Sequence, residues 1–191
     1  MKIIILRHGK RFDSPLYFTP LTAEGLKQAD DVVEVLKSYD IGLIYSSPFL
    51  RTLQTIYPFC VETDKSVCVE NALYESLDSD EFTYSNSHHD ISELETSYSH
   101  LMDIIDRDYK SRVLVSNISH VEGDCDIKNR VFSFIYSLCQ KYRNTDKRIL
   151  LVTHKTIGNI IKKFFNSEVL FTDQVDEATP YVIDVPITDP I

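Results

Sequence analysis

The chain has 191 residues, 43% of them hydrophobic and 26% charged, which suits one ordinary globular domain with a sizeable core. A net charge of −9 argues against general binding to nucleic acid or an anionic membrane, since both need broad positive surface. The four cysteines (Cys60, Cys68, Cys125, Cys139) are scattered without a CxxC pair, so neither a disulfide framework nor a zinc site is expected.

Lys2 to Leu6 reads as a short buried strand that ends at Arg7-His8-Gly9. A polar loop with Pro15 and Pro20 leads to Thr22, the cap of a helix whose apolar face is Leu26, Ala29, Val33 and Leu36. Gly42 to Tyr45 is a second strand. Ser46-Ser47-Pro48 then opens a helix, with serine as cap, through Leu53 and Ile56 towards Pro58. Ser66 to Val69 reads as a short third strand. Asp78 to Asp124 is the least regular part, with one helix near Ile91 to Asp106. Asp126 to Tyr142 is amphipathic, with Val131, Phe134, Ile135 and Leu138 on one face. Arg148 to Thr153 is the clearest buried strand, and Thr153-His154 opens a helix through Ile157, Ile160, Ile161 and Phe164. Tyr181 to Val185 is the final strand. This alternation predicts an α/β fold, a mainly parallel sheet with helices on both faces.

The N-terminal apolar run is too short for a signal core, and no later segment is long enough to span a bilayer, so a cytoplasmic protein is expected. Chemistry collects at strand ends. His8 closes the first strand, Arg51 lies just after the second, and His154 follows the clearest strand, where open α/β sheets build their sites. Arginine forks match phosphate oxygens, imidazole can be a nucleophile, and helix N-termini after Pro48 and His154 favour a dianion. A phosphoryl-transfer pocket fits this set; a P-loop does not, because no Gly-rich loop with a following Lys-Ser/Thr is present.

Five blocks carry a resemblance. Arg7-His8-Gly9, Leu21-Thr22-Ala23-Glu24-Gly25, Ser47-Pro48-Phe49-Leu50-Arg51-Thr52-Leu53-Gln54-Thr55, Leu73-Tyr74-Glu75 and Leu151-Val152-Thr153-His154 occur in order up to about Phe165. The chain thereby resembles the histidine phosphatase superfamily, with Asn129-Arg130-Val131 a weaker match. The resemblance implies a phosphoglycerate-mutase-like three-layer α/β/α domain over 1–191, with an irregular cap near 76–124. It implies His8 as the nucleophile that carries a phosphohistidine, and Glu75 as proton donor and later base. Arg7 and Arg51 would hold phosphoryl oxygens, with His154 donating to another. No metal or cofactor is implied. Arg11 completes an RHGxR string, similar to the acid phosphatase branch and to the TULA or Sts subgroup, which makes it a candidate third clamp; a solvated loop arginine is the alternative.

Three functions fit this pattern. A metal-independent phosphomonoesterase acting on a small-molecule or phosphopeptide ester is favoured. Alternatives are a phosphoglycerate mutase or sugar bisphosphatase, disfavoured by the acidic stretch Asp78, Asp80, Glu81, and a phosphate-dependent binding module. His88-His89-Asp90 reads as a solvated loop, His100 and His120 as surface or packing groups, and Cys125 and Cys139 as packing groups. Lys155 stands where relatives commonly carry a small residue. Phe82, Tyr84 and Tyr98 hint at an aromatic or apolar leaving group. Oligomeric state is not readable.

Overall fold

The computed structural model describes residues 1–76, 89–118, 121–166 and 174–185. The described strands form one five-stranded sheet: β1 (Lys2–Arg7), β2 (Leu43–Ser46), β3 (Cys68–Val69), β4 (Arg148–Thr153) and β5 (Pro180–Asp184), in the order β3-β2-β4-β1-β5. All neighbours are parallel except β5, which pairs antiparallel with β1 at the edge. Pro180 starts that edge strand, where a missing N–H costs no ladder bond.

β1 and β4 are apolar between their end residues because helices cover both faces of the sheet. Ile3 and Ile5 join Ile149 and Leu151 against α3 (Asp124–Tyr142) and α4 (Lys155–Phe165), through Val131, Phe134, Ile135, Ile157 and Ile161. Ile4 and Leu6 point the other way with Leu150 and Val152. They meet Val32, Val33 and Leu36 of α1 (Ala23–Lys37) and Ile56 and Phe59 of α2 (Leu50–Thr63). Each such buried aliphatic side chain contributes about 1.5–3 kcal/mol. This is the three-layer α/β/α architecture that the alternation predicts.

Thr22 caps α1 as expected, its Oγ1 accepting from Gly25 N at 3.1 Å. The buried face of α1 is shifted, however: Gly25, Ala29, Val32, Val33 and Leu36 are buried and Leu26 is exposed. Gly25 is required by proximity, since a Cβ there would stand 2.0 Å from the Lys10 carbonyl oxygen. The loop after β1 is thus pressed onto the first turn of α1.

Four expectations need correction. α2 begins at Leu50 rather than at the serines, and its cap, Phe49, makes no side-chain bond; Ser47 is engaged elsewhere. Pro58 lies inside α2, which continues to Thr63, because the buried Ile56, Phe59 and Cys60 hold the helix across one missing bond. Ile91 to Asp106 is two 3₁₀ turns, Ile91–Leu94 and Ser99–Ile104, rather than an α-helix. Its apolar residues recur every third position (Ile91, Leu94, then Tyr98, Leu101, Ile104), which suits three residues per turn. Cys125 is exposed on the first turn of α3 and does not pack, whereas Cys139 is buried.

Candidate active site

Sheet register builds the centre of the site. Arg7 pairs with Thr153 across the parallel β1–β4 ladder, so the next residue on each strand, His8 and His154, emerge side by side at the carboxyl edge. Their ring centroids are 5.3 Å apart, and both side chains are buried. His8 Nδ1 lies 2.7 Å from the Gly9 carbonyl oxygen, an acceptor only, so Nδ1 carries the proton and Nε2 the lone pair. Gly9 N donates to Thr55 Oγ1 at 3.0 Å, which fixes the turn that presents the ring. His154 Nε2 lies 2.8 Å from Ser47 Oγ. With the serine hydroxyl donating to Nε2, the proton of His154 stays on Nδ1. That buried Nδ1 makes no hydrogen bond.

Arginine donors gather around the same point. Arg51 is fully buried on the first turn of α2; its Nη1 donates to the Leu16 carbonyl at 2.9 Å, while Nε and Nη2 make no hydrogen bond. Arg7 donates from Nη2 to Glu177 Oε1 at 3.1 Å and leaves a buried Nε unbonded. Arg11 uses Nη1 on the carbonyls of Phe12 and Ser14, at 2.8 and 2.7 Å. Its charge reaches His8, Arg51, Glu75 and His154. Buried donors without partners are expensive unless an acceptor arrives, and here they converge from three residues.

Glu75 closes the ring. Its Oε2 stands 3.4 Å from His154 Nδ1 and 3.7 Å from Arg51 Nη2. The segment carrying it is held by Arg130 of α3, which donates to the carbonyls of Ala72 (2.8 Å), Tyr74 (3.0 Å) and Glu75 (3.2 Å). The same guanidinium forms a buried two-point pair with Glu122, at 2.6 and 2.8 Å. Glu70, wholly buried, anchors the segment from its start by accepting from Ala72 N, Tyr109 Oη, Ser111 Oγ and Arg112 N. Sequence reading missed Ser47, Glu122 and Glu177, and it gave Arg130 no role. Glu122 lies just before the Gly123 cap of α3, eight residues ahead of Arg130, and no helical spacing marked the pair in the sequence. Arg130→Met is expected to cost about 3–5 kcal/mol, because Glu122 is left charged and alone, and to lower kcat further through a displaced Glu75. Chemical denaturation and kcat on the refolded variant would check both effects.

Burial sets the protonation states. It lowers both His8 and His154 well below 6.5, with Arg51 pushing the same way, so both rings are neutral at physiological pH. Burial raises Glu75 above 4.5 against the pull of Arg51, which favours the carboxylic acid. Burial also lowers Arg51, which still remains a cation at neutral pH. A stability consequence follows for each sign. The unfolded chain takes up imidazole protons below pH 6.5 that the folded chain refuses, so the histidines' contribution is present above 6.5 and is lost as pH falls. Glu75 acts oppositely, losing stability as pH rises through its raised value. His8→Asn is expected to lose less Tm than the wild type between pH 7 and pH 5, as measured by thermal melts in matched buffers.

One ligand atom from each of His8, Glu75 and His154 lies within 4.8 Å of the other two, a set that could hold a dication. Arg7, Arg11 and Arg51 oppose a dication there and favour an anion. Outside this centre an aromatic wall runs to the surface. Phe49 lies against His154 (4.8 Å) and under Arg51 (4.4 Å), Tyr17 against Phe49 (4.9 Å), and Phe18 against Tyr17 (5.0 Å). His89 is part of that wall, at 5.0 Å from Tyr17 and 4.9 Å from Phe18 and bonded to Glu93, rather than in a solvated loop. His100 packs on Tyr57; His88, His120, Phe82 and Tyr84 lie outside the described residues.

The fold and the site define an α/β protein whose strand ends present a buried anion-binding centre around a histidine lone pair. Residues 3–171 match the model of the histidine phosphatase superfamily (branch 1), and the chain belongs to that family, which makes it a phosphatase. No curated protein matches the sequence. Among solved structures it is similar to the α-ribazole phosphatase of Shigella flexneri (TM-score 0.68, 21% identity, 98% of this chain and 92% of that one). A mycobacterial glucosyl-3-phosphoglycerate phosphatase is also similar (0.65, 18%, 96% and 89%). So is the ecdysone phosphate phosphatase of Bombyx mori in complex with tungstate (0.62, 18%, 94% and 82%). Among the described residues no helix is long and apolar enough to cross a membrane.

Proposed function

We propose that the protein is a metal-independent phosphomonoesterase that works through a phosphohistidine on His8. The observation that carries this reading is the convergence of buried, unbonded donors (Arg7 Nε, Arg51 Nε and Nη2, His154 Nδ1) on the strand edge where His8 presents its Nε2 lone pair. Nε2 attacks phosphorus in line, the bond from phosphorus to the leaving oxygen breaks, and that oxygen takes the proton of Glu75. The imidazole ring becomes cationic as the N–P bond forms, and the Gly9 carbonyl at Nδ1 stabilises it. Water then attacks phosphorus and gives its proton to the Glu75 carboxylate. The N–P bond breaks and returns its electron pair to Nε2. The arginines and His154 carry the charge on the equatorial oxygens, a job that metal ions do in many other phosphoryl-transfer sites.

Arg11 is the third clamp in this reading. Its Nη1 is spent on its own loop, its charge bears on His8, Arg51 and Glu75, and the RHGxR string it completes is what favours the TULA or Sts-like subgroup. The substrate is an ester with an aromatic or otherwise apolar leaving group. Phe12, Leu16 and Phe18 stand exposed on the loop whose carbonyls hold Arg11 and Arg51, with Phe18 at the outer end of the aromatic wall. The related structures are named for phosphatases of three unlike esters, so leaving-group choice belongs to such rim residues. In this reading the chain acts as one domain, and the cap expected near 76–124 lies partly outside the described residues. All four cysteines are free, in keeping with a cytoplasmic setting. The test is mixing with p-nitrophenyl phosphate in EDTA, followed by an acid-free quench. Turnover with a base-stable, acid-labile phosphate on the chain is expected; a metal requirement or absence of label overturns the proposal.

A further inference from the structure

Glu177 lies beyond the stretch that the family model matches and beyond every sequence block that carries the resemblance. It nevertheless reaches the phosphate site. Its Oε1 accepts from Arg7 Nη2 at 3.1 Å, with both side chains partly buried, and its backbone forms a parallel bridge with Arg7. The next residue, Ala178, adopts φ +46, and its N–H donates to the Arg7 carbonyl at 3.0 Å. A left-handed alanine costs on the order of 1 kcal/mol and persists only where the surroundings over-determine it. Thr179 Oγ1 bonds the Glu177 carbonyl at 3.0 Å, and Val175 N bonds Asn159 Oδ1 of α4 at 3.3 Å. The short segment before β5 is thus fixed from both sides, with Glu177 aimed at Arg7.

Arg7 needs such a partner. Arginine has several rotatable bonds, and the entropy of holding it falls on substrate binding unless the fold pre-orders it. Engagement of Nη2 by Glu177 leaves the neighbouring, buried Nε of Arg7 without a partner. We infer that Glu177 is a positioning residue: it holds Arg7 so that the unbonded Nε donor is presented to the phosphoryl group, the inference resting on the phosphatase reading above. Arg7 touches substrate; Glu177 does not.

The sign of one measurement separates positioning from simple electrostatics. A carboxylate near an anion site repels the anion, so if Glu177 were only a neighbouring charge its removal would tighten phosphate binding. If it positions Arg7, removal weakens binding despite the lost repulsion. Calorimetric titration of the full chain with inorganic phosphate gives this without any turnover. Glu177→Ala is expected to raise the phosphate Kd about tenfold and lower kcat/KM by a similar factor, the scale of one charge-assisted hydrogen bond. Glu177→Gln keeps an acceptor for Nη2 and is expected to stay within about threefold of the wild type. In an Arg7→Ala background, Glu177→Ala is expected no longer to weaken phosphate binding or lower kcat/KM, leaving only the modest tightening from the lost repulsion. A Kd in Glu177→Ala equal to or below that of the wild type overturns the inference, as does an undiminished effect without Arg7. Wild-type turnover and histidine labelling, measured alongside, report on the phosphatase reading itself. Their failure is therefore separate from a failure of Glu177.

Discussion

His8→Ala is expected to lower kcat by on the order of 10⁴-fold or more and to abolish covalent phosphate, because among the described residues no other imidazole presents an unengaged Nε2 at that position. His154 is the nearest alternative, but its Nε2 is engaged by Ser47. The donors that bind phosphate are not on His8, so the variant should still bind inorganic phosphate within about threefold of the wild type. That pairing matters. A variant that loses turnover and phosphate affinity together has lost its site rather than its nucleophile. Titration with phosphate, intact mass after a substrate pulse, and steady-state rates on the same preparation decide the matter. Turnover within tenfold of the wild type would remove His8 as the nucleophile.

The layered fold was readable because its strands are short continuous apolar runs between helices of 3.6-residue periodicity. Ile3-Ile4-Ile5-Leu6 and Ile149-Leu150-Leu151-Val152 leave no alternative to a sheet covered on both faces. The segment from Ile91 to Asp106 failed for a physical reason. Spacing by threes and fours overlaps over so few turns, and tertiary packing of Leu94, Leu101 and Ile104 selects the tighter turn. Leu26 was misplaced because α1 rotates to let the Lys10 backbone approach Gly25, a contact that no periodicity encodes.

At the site, His8, His154 and Arg51 were readable because each sits one or a few residues from a strand end. What was not readable is the support. Arg130 reaches back some 55 residues in sequence to the carbonyl of Glu75, and Glu177 reaches 170 residues to Arg7. Such pairs are set by how helices and the edge strand return to the sheet, which the sequence pattern leaves open. Ser47 shows the same limit at short range. Its position before a proline matches a helix cap, yet its hydroxyl orients an imidazole on a different strand.

Glu75→Gln isolates proton transfer from positioning. Glutamine retains the shape of the side chain and an oxygen for the Ser76 N–H, and the Arg130 bond is to the backbone carbonyl, so the segment should stay in place. What is lost is a proton for the leaving oxygen and a base for the attacking water. For an alkyl phosphate, whose alkoxide leaves poorly, kcat is expected to fall by about 10²–10⁴. p-Nitrophenolate needs no proton to leave, so phosphorylation of His8 should remain fast with that substrate while its hydrolysis slows. The variant should then release a burst of p-nitrophenol close to the enzyme concentration and accumulate phosphohistidine. The pH dependence carries the same signature. Glu75 serves as acid only while protonated, and burial raises its value above 4.5, so the wild-type rate of alkyl-ester cleavage should decline as pH rises through that raised value. His8 stays neutral well below 6.5, so the acidic side remains open. In Glu75→Gln the alkaline decline should disappear, leaving a low, flat profile. An equal loss for both leaving groups, with no burst and an unchanged profile, would mean that Glu75 shapes the site without moving a proton.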